Sequence, residues 1–344
     1  MRDNIKVAIW GFGAMGRGVA LALLLKKGIE ITAVCDINPA IVGKTVSEVL
    51  GKGNNGAKIT PDFDFLSAEN CDICILATDS FTQKAFPKME FIAKKGINII
   101  TTAEEMAYPK ANAPELAEKL DKIAKENKIS ILGTGINPGM VMDLLAIVLS
   151  GAMVSVDSVM CKRINSLSPF GKTVMEEQGV GLSVSEFNKL ADEGHMAGHV
   201  GFKESVAMIC DGIGLEVDCF NQQMEPIIAK KDRKAPYGEA KVGDVCGVNM
   251  TAQGRNNGQV VIDMVHPQQI DPEAEEIYTG DYIELKGEPP ISMKILPEID
   301  GGVGTIALCI NCIPHVINSR PGLITMLDIP VPRAIMGDYR ELLY

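Results

Sequence analysis

An apolar run, Ile5 to Trp10, leads directly into Gly11-Phe12-Gly13-Ala14-Met15-Gly16, and a helix-like stretch follows. A strand, a glycine turn and a helix in this order leave few folds open, because each glycine has a separate job. Gly11 permits the tight turn, Gly13 lets the backbone approach a pyrophosphate, and Gly16 allows close helix–strand packing. The helix N-terminus then presents free N–H groups and the positive end of its dipole to phosphate. Twenty residues past Gly16, Asp36 closes a second apolar run, Ile29 to Cys35. A carboxylate there can accept hydrogen bonds from the adenosine ribose hydroxyls. Strand, helix and acid stand at the spacing a dinucleotide requires, which a glycine turn used only for packing does not explain. The expected contacts are Gly11, Phe12, Gly13, Ala14, Met15, Gly16 and Asp36. Asp36 repels a 2′-phosphate and biases the site toward NAD, while Arg17 and Lys44 leave NADP possible.

The pattern that follows alternates. Strands are expected at Lys6–Trp10, Glu30–Cys35, Ile73–Ala77, Ile97–Thr101 and Ile129–Leu132, with helices at Gly16–Lys27, Ile41–Leu50, Thr82–Lys95 and Ala113–Glu126. Near-continuous apolar strands belong to a parallel sheet covered on both faces. A helix from Met140 to Leu149 follows, and then strand-like segments dominate: Ser158–Ile164, Asp218–Ala229, Val245–Gln253, Gln259–Val265 and Tyr282–Lys286. Helices Ser185–Glu193 and Lys203–Asp211 interrupt them, and loops are expected at Lys230–Gly243 and Gly254–Gly258. The fold class is α/β: a Rossmann, doubly wound nucleotide domain over residues 1–135, completed by about 303–344, plus an α+β second domain with a mostly open sheet over 136–302. A last helix, Val303–Asn318, returns to the nucleotide domain, and an extended tail with one short helix runs from Pro330 to Tyr344.

Ligands of open α/β sheets lie beyond the carboxyl ends of the strands. Three loops qualify: Ala77-Thr78-Asp79-Ser80, Thr101-Thr102-Ala103-Glu104-Glu105, and Gly133 to Gly139. Their expected nucleotide contacts are Ala77, Thr78, Thr102, Ala103, Asn137, Pro138 and Gly139, with Asn137 also facing substrate. Glu104 and Glu105 are the carboxylates of the middle loop. One beside a nicotinamide can hold a substrate cation or take its proton; either can equally be a helix-start charge, and the pattern does not choose between them.

Charge and composition exclude other classes. The net charge of −11 opposes a nucleic-acid surface or an anionic membrane as partner. No targeting segment is read at the start, and Leu144 to Val156 is taken as the longest apolar run, too short to span a bilayer. Nine scattered cysteines read as reduced thiols of a cytoplasmic protein. His195 and His199 have the i,i+4 spacing of metal ligands, but glycines interleave and no third ligand follows, so no metal is expected. His199 is a candidate pocket wall or proton relay. Cys71/Cys74 and Cys309/Cys312 read as core packing, and His266 and His315 as structural. Cys161, Arg163 and Asn165 fall on one face of a strand by period two. If that face meets the nicotinamide, Arg163 is a natural clamp for a carboxylate, with Cys161 beside it.

The stretches Ile5 to Gly16, Thr101 to Glu105, Gly135-Ile136-Asn137-Pro138-Gly139 and Arg320-Pro321-Gly322-Leu323-Ile324-Thr325-Met326 together resemble the 2,4-diaminopentanoate dehydrogenase family, related to native amine dehydrogenases and similar in fold to dihydrodipicolinate reductase. The resemblance spans essentially the whole chain. It implies NAD(P)-dependent oxidation of an amine to a ketone with release of ammonia, reversible as reductive amination, in a homodimer formed through the second-domain sheet, with ornithine degradation as its setting. It also implies that Glu104 rather than Glu105 contacts the reacting amine. A dihydrodipicolinate reductase would need paired histidines and a lysine before Pro-Ser-Gly-Thr, and an aspartate-semialdehyde enzyme a cysteine nucleophile at the domain junction; neither is present. A nucleotide-binding regulator without chemistry is the alternative from another class.

Overall fold

A computed structural model describes residues 3–344. The chain forms two compact units, one running to Met140 and resuming at Asp300, the other spanning Val141–Ile299. The first begins with β1 (Ile5–Trp10), α1 (Ala14–Leu23), β2 (Ile29–Cys35), α2 (Val46–Leu50) and β3 (Ile59–Thr60). It continues through β4 (Ile73–Leu76), α3 (Thr82–Lys94), β5 (Asn98–Thr101), α4 (Pro114–Glu126) and β6 (Ser130–Gly133). β4 and β6 are buried at every position, as strands covered on both faces must be. α4 shows how the sequence sets a helix: Pro114 sits in the first turn, Glu115 beside it, Lys125 in the last, and Ala117, Leu120 and Ala124 form the buried stripe.

Two helices start or stop away from their expected ends, for local reasons. Thr45 and Glu48 form a reciprocal capping box, so α2 begins at Val46 instead of Ile41. α1 ends at Leu23 because the chain tightens there, with Leu25 and Lys26 bonding back to Ala22 and Leu23, before Gly28 turns it at φ +77°.

The second unit contains α5 (Leu144–Ser150), β7 (Ser155–Ser166), α6 (Lys172–Glu177), α7 (Val184–Asp192), α8 (Phe202–Ile213) and β8 (Cys219–Ile228). β9 (Arg233–Ala235), β10 (Gly238–Ala240), β11 (Val245–Asn256), β12 (Gln259–Gln269), β13 (Gly280–Glu288) and β14 (Ile291–Ile295) follow. Its main sheet is mixed, in the order β14-β13-β7-β12-β11-β8, with β12 and β7 parallel and the other pairs antiparallel. α5 lies against β7 and β13 and packs on α8. The expected helix from Met140 starts only at Leu144, whose N–H bonds to the Asp143 carboxylate.

Two expected loops are ordered strands. At 254–258, β11 and β12 run on to a two-residue turn in which Asn257 and Gly258 both have positive φ, the backbone of a type I′ hairpin. At 230–243, β9 and β10 pair as a hairpin. Arg233 anchors it: the side chain is buried, donates through Nη1 to the carbonyls of Ile270 and Asp271, and pairs with Glu275 at 2.7 Å.

The chain then returns to the first unit with α9 (Gly301–Asn318) and β15 (Gly322–Ile324). The completed sheet is parallel throughout, in the order β15-β6-β5-β4-β1-β2-β3. Strand direction of travel reverses between β1 and β4, the switch point where such sheets bind ligands. α9 corrects the expectation that Leu144 to Val156 is the longest apolar run, since among the described residues α9 alone is long and apolar enough to cross a membrane by length and composition. It packs instead on α1 and on β4, β5 and β6, with Leu308, Cys309, Ile310, Cys312, Ile313 and Val316 buried. A helix pressed between a sheet and a neighbouring helix needs this apolarity.

Candidate functional site

The glycine loop has the geometry its sequence requires. Gly11 adopts φ +95°, and a Cβ there would stand 2.5 Å from the Ala77 carbonyl oxygen and 2.8 Å from Thr78 Cγ2. A Cβ at Gly16 would stand 1.9 Å from the Gly11 oxygen, so the first turn of α1 closes directly on the loop. At Gly13, by contrast, a Cβ would meet nothing within 4 Å. Its φ of −76° suits any residue, so this is the place where the loop backbone lies open.

Asp36 fastens the loop. Its Oδ2 accepts from the Phe12 N–H at 2.6 Å and its Oδ1 from the Asn38 N–H at 2.8 Å. Each oxygen keeps acceptor capacity for a further donor. Arg17 Nε donates to the Phe12 carbonyl at 2.9 Å, which holds that cation on the same loop. Backbone bonds run from Gly11 to Cys35, from Ala77 to Trp10 and from Thr102 to Leu76. They bring the glycine loop, the Asp36 turn and the ends of β4 and β5 together at the carboxyl end of the sheet. Thr134 N bonds to the Thr101 oxygen, and Ile136 N to Thr305 Oγ1 of α9 at 3.1 Å, so the turn carrying Asn137, Pro138 and Gly139 joins the same end of the sheet. Gly139 is tightly enclosed: a Cβ there would meet the Gly135 oxygen at 2.6 Å.

Glu104 and Glu105 stand next to each other beyond β5. Both sit in a 3-10 turn, Glu104–Ala107. Glu105 Oε2 accepts from the Thr82 N–H at 2.7 Å, so its carboxylate caps α3. The sequence offered no sign of this, since the cap comes from a residue 23 positions away.

In the second unit, Cys161, Arg163 and Asn165 share a buried face of β7, as period two requires. Arg163 is 2% exposed, as is Asp281, its cross-strand neighbour on β13. The two form an ion pair at 2.5 Å, and Nη2 donates to the Ile299 carbonyl at 2.6 Å. This excludes an exposed edge-strand arginine and gives Arg163 a carboxylate of its own chain. On β12, His266 Nε2 bonds with Asn165 Oδ1 at 2.9 Å. The ring of His199 stands 4.7 Å from that of His266 and 4.9 Å from that of Phe202. Loss of hydration, with Arg163 adding to it, pushes His199 down to about 3, and loss of hydration, followed by His199 and then Arg163, holds His266 well below its ordinary value. Both imidazoles are therefore neutral at pH 7. His195 is remote in character, exposed beside Glu193 at 3.4 Å. Burial pushes the Cys161 thiol up, which makes it inert as a nucleophile. Burial likewise pushes the Cys71 and Cys309 thiols up to about 12. Among the described residues no three His, Cys, Asp or Glu side chains gather as a metal site.

Comparison with known proteins places the chain. Residues 5–132 match the family model of the dihydrodipicolinate reductase N-terminus, and residues 140–344 that of the 2,4-diaminopentanoate dehydrogenase C-terminal domain. The chain is 51% identical to the 2,4-diaminopentanoate dehydrogenase of Acetoanaerobium sticklandii, over 99% of this chain and 98% of that one. It is 23% identical to an amine dehydrogenase of Streptomyces virginiae, over 96% and 98% of the two chains. The structure of an amine dehydrogenase from Mycobacterium smegmatis superposes with a TM-score of 0.86 at 25% identity, covering 98% of this chain and 99% of that one. By sequence along its whole length and by the fold of both units, the chain belongs to the 2,4-diaminopentanoate dehydrogenase family of pyridine-nucleotide oxidoreductases.

Proposed function

We propose that the chain oxidises the C4 amine of 2,4-diaminopentanoate to a ketone, releases ammonia and works reversibly as a reductive aminase, with NAD preferred over NADP. The end-to-end likeness at 51% identity carries this reading. It also weighs against a regulator that binds NAD without chemistry. Purified protein given 2,4-diaminopentanoate and NAD should form NADH, read by absorbance; tight NADH binding with no substrate-dependent reduction would leave only the regulator.

The bound nicotinamide supplies the hydride acceptor. The residues present fit such a group: Gly13 leaves room for a pyrophosphate, and Asp36 keeps acceptor capacity for ribose hydroxyls. The chain's own task is to manage a proton and a charge. The amine must be unprotonated when hydride leaves its carbon. Glu104 takes the ammonium proton and faces the iminium that forms; after water adds, the same carboxylate returns a proton to the departing ammonia. Arg163 recognises the substrate carboxylate, and Cys161, His199 and Asn137 are the further substrate contacts of this reading. The neutral state of His199 suits a contact that must not repel a cationic substrate. The chain pairs as a homodimer through the six-stranded sheet, whose alternate positions Met160, Ile164 and Val265 stay partly exposed in one chain.

Two tests bear on the nucleotide. Gly13→Ala adds a methyl group into open space at an ordinary φ. It should leave thermal stability unchanged while NADH binding weakens by about tenfold, or ~1.4 kcal/mol; equal affinity by fluorescence titration would put the pyrophosphate elsewhere. Asp36→Ala should lower kcat/KM for NAD far more than for NADP. Because Phe12 N–H loses its acceptor, some loss is expected for both. A wild type that strongly prefers NADP, or an unchanged ratio, counts against the reading.

A further inference from the structure

We infer that Glu105 is the positioning residue for Glu104, an inference that rests on reading Glu104 as the acid–base group. The N-cap of α3 is Phe81, which has no side-chain acceptor to offer. A helix start left this way has orphaned N–H groups and an uncompensated positive end. The chain fills the gap from elsewhere: Glu105 Oε2 accepts the Thr82 N–H at 2.7 Å, while the Glu105 N–H donates to the Ser80 carbonyl at 3.2 Å. Two bonds of opposite direction thus join residues 80–82, beyond β4, to the turn beyond β5.

A local serine or aspartate at position 81 would cap α3 equally well. It would not tie the two loops. The borrowed cap does, and on the far side the turn is fixed again. Met106 is fully buried, its N–H bonds to the Ala103 oxygen at 2.9 Å, and a Cβ on Gly133 would stand 2.0 Å from the Met106 oxygen. Glu104 directly precedes these two anchors in the turn, Glu105 tied to residues 80–82 and Met106 packed against β6. A proton-transfer group displaced by about 1 Å loses on the order of a hundredfold in rate, so the anchor controls turnover without touching substrate.

The test is a cycle of variants in the full chain. Glu105→Ala should lower kcat by about tenfold to a hundredfold, with the KM for nucleotide changing much less. Glu105→Gln retains an acceptor oxygen and should recover most of the loss. In a Glu104→Gln background, Glu105→Ala should add no further slowing, because there is no longer a base to position. If Glu105→Ala fails to fold, Glu105→Asp, one methylene shorter, replaces it in the same comparison. A wild-type kcat in Glu105→Ala, or an equal slowing in both backgrounds, would overturn the inference. A fully active Glu104→Gln enzyme is a separate result: it removes the Glu104 reading itself, and the positioning role with it.

Discussion

Glu104→Gln should lower kcat by 10² or more, the usual scale for an acid–base group, while NADH affinity barely moves. Glutamine keeps the shape of the side chain and loses both its charge and its basicity. Without the carboxylate, the ammonium keeps its proton, and the carbon beside it cannot release hydride. The developing iminium also loses its nearest counter-charge. The comparison with Glu105→Gln is decisive because the two residues are adjacent and Glu105 already serves as the cap of α3. Glu105 is engaged with Thr82 N–H, and a glutamine can still accept that bond. A dead Glu105→Gln enzyme beside an active Glu104→Gln enzyme would move the catalytic role to Glu105. Single-turnover rates should show the loss in the chemical step and not in binding.

Arg163→Ala should destabilise the folded protein by about 3–5 kcal/mol, since it leaves the Asp281 carboxylate buried without its partner. It should also weaken turnover of 2,4-diaminopentanoate more than turnover of a carboxylate-free amine of similar length. The first effect can disguise the second. Removing both charges separates them: Arg163→Met combined with Asp281→Leu should recover most of the stability in urea unfolding, because apolar groups of similar size replace a buried pair at little cost. If that folded double variant still favours the carboxylate-bearing substrate, Arg163 does not read the carboxylate. Lys203 or Arg255 would then be the next cations to test. The Arg163–Asp281 pair itself raises the question, because the guanidinium already holds one carboxylate and one carbonyl.

The parallel sheet was legible because its strands are short apolar runs, and its glycine loop because the first and third glycines of the motif are sterically required. Gly11 and Gly16 have almost no room for a side chain, and Gly13 has nothing but room. The hairpin at Asn257-Gly258 carries a local signal, since a type I′ turn needs two positive φ values and Asn-Gly suits it, but the glycine, asparagine and charge crowded around it mask that signal as loop. The β9–β10 hairpin was not legible. It depends on Arg233 reaching carbonyls at Ile270 and Asp271, and no local pattern announces such an anchor. β3 and β15 are too short to show periodicity. In the candidate site, period two placed Cys161 and Arg163 on one face, but the residue opposite Arg163 is set by strand register, and Asp281 lies 118 positions away. The same limit hid the capping role of Glu105.

The order of synthesis meets an obstacle in this chain topology. β6 is an interior strand only once β15 joins it, and the sheet face under α9 is covered only once residues 301–318 exist. A ribosome that has released the first 140 residues has therefore made most of the nucleotide unit with one strand edge unpaired and an apolar surface bare. Such edges and surfaces invite association with other chains. At the roughly 5–20 residues per second of synthesis, that state lasts for about ten seconds or longer before the last segment can close it. An expression strain short of chaperones, or a fragment cut near Met140, meets this hazard directly, whereas a chain that carries α9 and β15 escapes it as soon as they fold back.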